Sequence, residues 1–463
     1  MEHFDVGVVG TGYVGLATGA SLAYIGHRVI CLDNDHERVA SLREGKVPFY
    51  EPGLRELIAK SARRLQFAGS EGLSEVVRGS DVLIVAVGTP QGPDGSADLS
   101  NVADVARSIG RALAGSAPRE LPLVVVNKST VPVGSAYYVS TLVGEGIDEA
   151  GGNGAEFRVA SNPEFLREGS AVHDSLFPDR VVVGTDSREA VDALRILYAP
   201  IVEQSFPTEW DPRPKVAVPL VTTDLESAEM IKYASNAFLA TKISLINEVA
   251  NLCELVGADV SEVAYAVGLD DRVGSRFLSA GLGWGGSCFP KDVAALRATA
   301  REYEHETPLL DAATAVNERQ RRRVIHKLRQ DLHSLKGKRV ALLGLSFKPN
   351  TNDLRGAPSL TIAGALNSLG ARVVGYDPVA GKAATKLAPF VRVVFDPYDA
   401  LEGAHAAVLV TEWEEVRALD PNKAAALMRD PKLIVDGRNA LDASAFREAG
   451  LLYRGFGRGY DRG

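Results

Sequence analysis

The sequence predicts an α/β chain: two parallel-sheet domains joined by a long helix and a helical middle. Three observations predict it. Short β-branched apolar runs alternate with helical patterns in the first third. An unbroken helical stretch without Pro or Gly fills the middle, and a second alternating series begins at Lys338. At 463 residues the chain is too long for one compact core.

Val6 to Val9 reads as a strand, Val14 to Ile25 as a helix and Arg28 to Leu32 as a second strand. Further strands are expected at Val82 to Val87, Leu123 to Val126, Arg158 to Ala160 and Val181 to Val183. Each is short and nearly continuous in apolar character, as strands buried on both faces should be. From Thr223 to Val256 apolar residues recur at helical spacing, with Thr223 and Glu226 as a capping box and Gly257 as the stop. That helix would be about 50 Å long and could bridge domains and offer a dimer surface. Helical pattern resumes after Lys291 and again after Thr307. Strands then follow at Arg339 to Leu343, Arg372 to Tyr376, Ala407 to Val410 and Leu433 to Val435, with a helix at Leu360 to Leu369. The order strand, glycine, helix, strand, acid (Asp377) repeats the N-terminal order, so both ends are expected to be Rossmann-like. The second copy lacks a three-glycine fingerprint, and no dinucleotide is expected there. The expected domains are 1–222, 223–335 and 336–463.

Composition narrows the function. Hydrophobic residues make up 46% and charged residues 24%, ordinary values that give disorder and coiled coil no support. A formal charge of −8 argues against nucleic acid as a partner, and the basic run Arg319 to Arg323 reads as a solvated helix face. The three cysteines are far apart, which leaves no zinc spacing and no disulfide framework. No apolar run approaches the ~20 residues that span a bilayer, and Met1 to Phe4 run straight into a strand. A reduced, cytoplasmic protein with no metal and no membrane partner is expected.

Gly10-Thr11-Gly12-Tyr13-Val14-Gly15 lies between a strand and a helix, and Asp33 ends the next strand. The glycines permit a tight turn that brings backbone N–H groups to a pyrophosphate. Asp33 would accept hydrogen bonds from an adenosine ribose and repel a 2′-phosphate, favouring NAD over NADP. A turn that binds nothing is the alternative. Gly283 to Asp292 places Cys288 after a glycine-rich loop and before a helix starting near Pro290 or Lys291. A helix N-terminus with Lys291 beside it should favour the thiolate. Cys31 and Cys253, in a strand and on an apolar helix face, read as small buried hydrophobes. Lys232 and Asn236 lie four apart and so share a helix face, where a cation and an amide can hold an oxyanion. By spacing alone, an exposed Lys and an ordinary Asn explain them as well. Ser129 to Gly134 and Asn162 to Leu166 follow strands, at the sheet edge where α/β proteins bind ligands, although turn chemistry alone would account for either.

Taken together, these segments resemble the UDP-glucose/GDP-mannose dehydrogenase family over nearly the whole chain. The likeness includes the glycine fingerprint, Val87-Gly88-Thr89-Pro90, Ser129 to Gly134, Asn162 to Gly169, Glu229 to Glu248, Phe277 to Asp292 and Phe347 to Thr351. It implies an NAD domain, a helical dimerising middle and a nucleotide-sugar domain, with UDP-glucose oxidised to UDP-glucuronate that could feed capsule, polysaccharide or lipid modification. By resemblance Cys288 is the nucleophile, assisted by Lys232, Asn236, Asp292, Glu164 and Thr130. Gly10, Gly12, Gly15, Asp33, Arg38, Thr89, Thr130, Glu168, Lys291 and Arg355 match the NAD contacts. Glu164, Phe165, Leu166, Arg167, Glu168, Lys232, Asn236, Phe277, Leu278, Ser279, Ala280, Gly281, Gly285 and Lys348 match the sugar-nucleotide site. Arg438 is another such contact, and Arg272 one lent across a homodimer. A cysteine is needed because an alcohol becomes a carboxylate in two hydride steps, and the intermediate aldehyde must be held.

The sequence departs from the family at Trp284, where Phe or Tyr is usual, at Leu245, where Phe is common, and at Asn352, where an acid is common near Arg355. Ser205 to Val218, flanked and punctuated by Pro207, Pro212, Pro214 and Pro219, reads as an inserted surface loop. Rival readings are the same chemistry on another nucleotide sugar such as GDP-mannose, a two-electron hydroxyacid dehydrogenase with no use for Cys288, and a non-catalytic binding module.

Overall fold

The computed structural model describes residues 3–117, 119–152, 156–210 and 216–459. The chain packs as two compact units, one of Met1–Ser235 with Ala294–Tyr303, the other of Asn236–Val293 with Glu304–Gly463.

The first unit is built on β1 (Asp5–Val9), β2 (Arg28–Asp33), β3 (Leu65–Gly69), β4 (Val82–Val85), β5 (Leu123–Asn127), β6 (Phe157–Ser161), β7 (Val181–Gly184) and β8 (Leu220–Thr223). Their order in the sheet is β3-β2-β1-β4-β5-β6-β7-β8. Neighbours are parallel except β6 and β7, which meet antiparallel at Ser161 and Gly184. Side chains alternate between faces, and both faces are covered. Val6, Val8, Ile84, Val124 and Val126 pack with Leu16, Leu22, Leu54 and Leu57 on one side. Val9, Leu83, Val85 and Val125 pack with Ile109, Leu113, Val139 and Leu142 on the other. The order reverses at β1, with β2 on one side and β4 on the other, which opens a crevice at the carboxyl ends of these strands.

The helix Leu225–Val256 forms where its pattern predicts, but with a different cap. Thr223 ends β8, and the Asp224 carboxylate accepts from Ser227 N at 2.6 Å in place of the expected Thr223–Glu226 box. Asp224 wins because the strand holds Thr223 extended and the shorter acid reaches the third amide. Gly257 ends the helix with φ +83°, its N–H donating to the Cys253 carbonyl.

The second unit's sheet contains β9 (Arg339–Leu343), β10 (Arg372–Tyr376), β11 (Arg392–Val394), β12 (Ala406–Leu409), β13 (Leu433–Asp436) and β14 (Leu452–Arg454). Its order is β11-β10-β9-β12-β13-β14, with every neighbour parallel. This is the first unit's strand order centred on β9, so the repeat of fold expected from the order of elements is present. Asp377 stands after β10 as Asp33 stands at the end of β2. Its oxygens already accept from Leu345 N, Ser346 N, Val379 N, Ala380 N and the Trp413 indole, and it is fully buried. That acid holds its own turn and offers nothing to a ribose.

Candidate active site

In the first unit, β1 leads into Gly10, which turns with φ +100° and donates to the Leu32 carbonyl at 2.7 Å. A Cβ at Gly10 would meet the Ala86 carbonyl at 2.6 Å, and one at Gly15 would meet the Gly10 carbonyl at 1.9 Å. At Gly12, which precedes the helix Tyr13–Tyr24, a Cβ would meet nothing within 4 Å. The turn itself therefore needs Gly10 and Gly15, while Gly12 leaves open space at a helix N-terminus, where phosphate oxygens can approach N–H groups. Asp33 accepts from Thr11 N at 2.7 Å and Thr11 Oγ1 at 2.6 Å, with Arg38 at 3.3 Å. Burial works against its charge, but the Thr11 hydroxyl, the Asp35 and Thr11 amides and Arg38 together hold its pKa below the ordinary carboxylate value. An anion is thus fixed where an adenosine ribose would meet it. These residues fit NAD.

The same carboxyl edge carries Thr89, whose hydroxyl donates to the Thr130 carbonyl at 2.7 Å. Beyond Thr130, the helix Ser135–Glu149 receives Glu229 at its N-terminus: Gly134 N and Ala136 N donate to that carboxylate at 2.7 and 2.9 Å. Burial pushes Glu229 up to about 7 despite these amides. Three residues further along the long helix, the Lys232 ammonium donates to the Glu164 carbonyl at 2.6 Å and carboxylate at 2.8 Å. Both side chains are buried. Desolvation opposes the Glu164 charge, and Lys232, the Leu166 amide and Lys128 outweigh it, lowering its pKa. The Phe165 ring is 3.8 Å from the Arg180 guanidinium and 5.5 Å from Lys232 Nζ. Leu166 donates its amide to Glu164, and Arg167 pairs with Asp174 at 2.6 Å. Glu168 is buried, and the next amide, Gly169 N, donates to both Tyr13 Oη and the Glu51 carboxylate.

In the second unit, Cys288 directly precedes the helix Phe289–Glu302, and Asp292 N closes its first turn on the Cys288 carbonyl. The Cys288 Sγ lies 3.6 Å from Ser287 Oγ. Asp292 is 1% exposed and takes two donors, Asn236 Nδ2 at 2.5 Å and Lys291 Nζ at 2.6 Å. Asn236, Asp292 and Lys291 are thereby joined in one network at the start of the cysteine's helix. Cys31 and Cys253 are buried and unpaired, the roles expected of them.

The preceding loop is stitched to two helices. Gly281 N donates to Asn247 Oδ1, and Gln320 donates to the Gly281 carbonyl and to Asn247. Trp284 N donates to Asn317 Oδ1, and its indole N–H donates to Ser244 Oγ at 3.0 Å, a bond that Phe could not make. Phe277 takes φ +65° and packs its ring 6.2 Å from Phe289; Leu278 and Ala280 are buried, and Ser279 lies between them. Gly285 and Gly286 admit no side chain, meeting the Gly356 carbonyl and the Phe347 ring. Lys348 lies 5.4 Å from that ring, and Arg438 donates to the Phe347 and Val410 carbonyls. Arg355 is bidentate on Asp353. Arg272 is exposed and paired with Asp270.

Among the described residues no cluster of His, Cys, Asp or Glu could hold a metal ion, and no helix is long and apolar enough to cross a membrane. Of the inserted loop, Trp210 packs edge-on against Tyr24 and near Lys60, and Pro207 accepts from Tyr24 Oη; Pro212 and Pro214 lie outside the described residues. Four supporting residues escaped the sequence reading: Lys128, Glu229, Glu51 and Gln320. Lys128 had only a partial local signal, as a lysine directly after a strand of buried valines, since its partner Asn162 is 34 residues away. The other three make long-range contacts that spacing cannot reveal.

Three family models match in order. Residues 4–202 match the NAD binding domain of the UDP-glucose/GDP-mannose dehydrogenase family, 226–319 its central domain and 341–443 its UDP binding domain. The chain belongs to that family. Its relatives include the UDP-glucose 6-dehydrogenase TuaD of Bacillus subtilis, 43% identical over 99% of this chain and 94% of the relative. A UDP-glucose 6-dehydrogenase of Pseudomonas aeruginosa is 44% identical over 97% of each. Among solved structures, a UDP-glucose dehydrogenase from the archaeon Pyrobaculum islandicum superposes with a TM-score of 0.87 at 38% identity, covering 99% of this chain and 98% of that one. This family member is an NAD-dependent dehydrogenase with two Rossmann-like domains, and NAD is its cofactor.

Proposed function

We propose that this dehydrogenase oxidises UDP-glucose to UDP-glucuronate in two hydride steps, with Cys288 as a covalent catalyst. The observation that carries the reading is the placement of Cys288 at a helix N-terminus whose first turn holds the Asp292–Asn236–Lys291 network. UDP-glucose relatives identical at 43% and 44% over almost the full chain support the substrate.

Bound NAD accepts one hydride and no more, so two are consumed for each substrate. In the first step the C6 alcohol loses a hydride and a proton, and Glu164, through water, takes the proton. The Cys288 thiolate then adds to the aldehyde carbon, forming a C–S bond and an alkoxide. Lys232 and Asn236, one turn apart on one helix, supply N–H donors to the oxygen charge in each step. Asp292 fixes the Asn236 amide and Lys291 together. Loss of the second hydride gives a thioester; water adds as Glu164 or Asp292 takes one of its protons, the C–S bond breaks, the carboxylate leaves with the thiolate restored, and the second proton goes to solvent.

The measurement is NADH formed per limiting UDP-glucose, with GDP-mannose in parallel. Two NADH from UDP-glucose alone supports the substrate and the four-electron route. One NADH means a released aldehyde and no covalent role for Cys288; two from GDP-mannose only changes the substrate; none from either favours a binding module. Cys288→Ser should stall with trapped intermediate, and full turnover by that variant would refute the covalent route.

The proposed dehydrogenase is a homodimer. Phe238, Leu245 and Leu252 recur every seven residues on the long helix and are 69%, 60% and 58% exposed. A stripe of this size and period on a helix is an association surface. Arg272 would serve the neighbouring copy's site. Three cysteines that form no disulfide support a cytoplasmic setting.

A further inference from the structure

Two buried lysines converge on the turn Asn162-Pro163-Glu164, and the proposed chemistry uses only one of them. Lys232 bonds Glu164 through its carbonyl and carboxylate. Lys128, which follows β5, donates to Asn162 Oδ1 at 2.9 Å and is 8% exposed. The Tyr198 hydroxyl donates to the same oxygen at 2.6 Å, and Asn162 Nδ2 is held by the Val182 carbonyl. A neutral amide does not balance a buried ammonium. The groups facing it are the Glu164 carboxylate, the Lys232 ammonium and the Tyr198 hydroxyl; Arg180 sits over the Phe165 ring. Glu164 is therefore the anion that both lysines share.

Sharing has a consequence for turnover. When Lys232 turns its N–H groups to a substrate oxygen, its hold on Glu164 weakens, and an unpartnered buried carboxylate takes up a proton. A protonated Glu164 cannot take the substrate's proton. We propose that Lys128 is an electrostatic positioning residue: it keeps Glu164 ionised while Lys232 is engaged on the substrate. Burial pulls the Lys128 ammonium down to about 8, the Glu164 charge opposing and the Lys232 charge adding to the fall, as expected of two cations crowded on one anion. This inference rests on the proposed chemistry.

The test compares Lys128→Gln, which keeps an amide donor for Asn162 without the charge, with Lys128→Arg, which keeps the charge. kcat and KM are measured from pH 5 to 9, alongside melting temperature. The acid limb of kcat is expected to move up by about one unit in Lys128→Gln, roughly a tenfold loss on that limb, with KM little changed. Lys128→Arg is expected to keep the wild-type limb. A wild-type limb in Lys128→Gln, or equal loss in both variants without a shift, overturns the proposal. If Lys128→Gln does not fold, Asn162→Asp gives Lys128 an anion of its own and should move the limb the same way; an unmoved limb overturns the proposal. Two NADH per UDP-glucose from the wild type upholds the function whatever these variants do. If UDP-glucose is not oxidised, carbon-13 NMR of labelled glutamate still reads the resting Glu164 titration, and the same midpoint in wild type and Lys128→Gln overturns the pairing.

Discussion

Gly12 and Gly15 are three residues apart in one turn and carry opposite constraints. At Gly15 a methyl would strike the Gly10 carbonyl at 1.9 Å, so Gly15→Ala should lower the melting temperature and abolish NAD binding together. At Gly12 a methyl meets no protein atom and φ is −67°, so Gly12→Ala should melt like the wild type. It should still bind NADH at least tenfold more weakly, because the methyl occupies the space a pyrophosphate needs. Fluorescence titration with NADH beside a thermal melt separates the two cases; equal affinity in Gly12→Ala would remove the pyrophosphate from that turn. Glu229 makes a second residue-scale case. Its carboxyl is raised to about 7, so between the ordinary carboxylate pKa and pH 7 the folded chain holds a proton that the unfolded chain has released. Stability from this group is full at low pH and is lost as pH rises through about 7, by about 3 kcal/mol. Glu229→Gln should flatten that part of the stability profile, and an unchanged slope in chemical denaturation between pH 5 and 8 would count against it. Local placement was legible: the fingerprint glycines lie between a strand and a helix, Asp33 ends β2 and Cys288 directly precedes a helix, as their neighbours in sequence implied. Lys128 and Glu229 were not, because their meaning lies in partners 34 and 95 residues away.

At the scale of elements, the strands that escaped the sequence reading share one position. β3, β8, β11 and β14 each lie at an edge of their sheet. An edge strand is covered less completely, and these read as Leu-Gln-Phe-Ala-Gly, Leu-Val-Thr-Thr, Arg-Val-Val and Leu-Tyr-Arg, without the unbroken apolar run of a central strand. The central strands were visible because burial on both faces forces that run. The loop before Cys288 shows the complementary limit. Its glycines marked it as special, yet its shape is set by Asn247, Asn317 and Gln320 on helices that come before and after it. Gln320 is fully buried and satisfies both Gly281 O and Asn247 Oδ1. Gln320→Ala should therefore take the donor from the buried Gly281 carbonyl and leave Asn247 Oδ1 with Gly281 N alone, costing about 1 to 3 kcal/mol. Because the loop leads to Cys288, thiol alkylation should also change in rate. A variant with wild-type stability and alkylation would mean that the loop keeps its shape without this bond.

At the scale of the whole molecule, the long helix has one face that its own unit does not cover. Ala240, Ala250 and Cys253 are buried, while Phe238, Leu245 and Leu252 project into solvent. Large apolar side chains at a seven-residue period on a helix bury best against a like helix, and two copies related by a twofold axis present the same stripe to each other. A charge at the middle of that stripe should therefore divide the assembly. Leu245→Glu places two carboxylates near the axis, where each would be desolvated without a partner. Light scattering after size exclusion should give a dimer for the wild type and a monomer, or an equilibrium weakened at least a hundredfold, for the variant. Exposed Leu245 lies away from the Asn236–Asp292 network, so the monomer should still fold and bind NADH. It should nevertheless lose UDP-glucose affinity, because Arg272 would have no neighbouring site to enter. Arg272→Ala in the intact dimer should reproduce that loss without dissociation. A wild type that elutes as a monomer would leave the stripe without the partner argued for it, and a monomeric variant with full UDP-glucose affinity would confine Arg272 to its own chain.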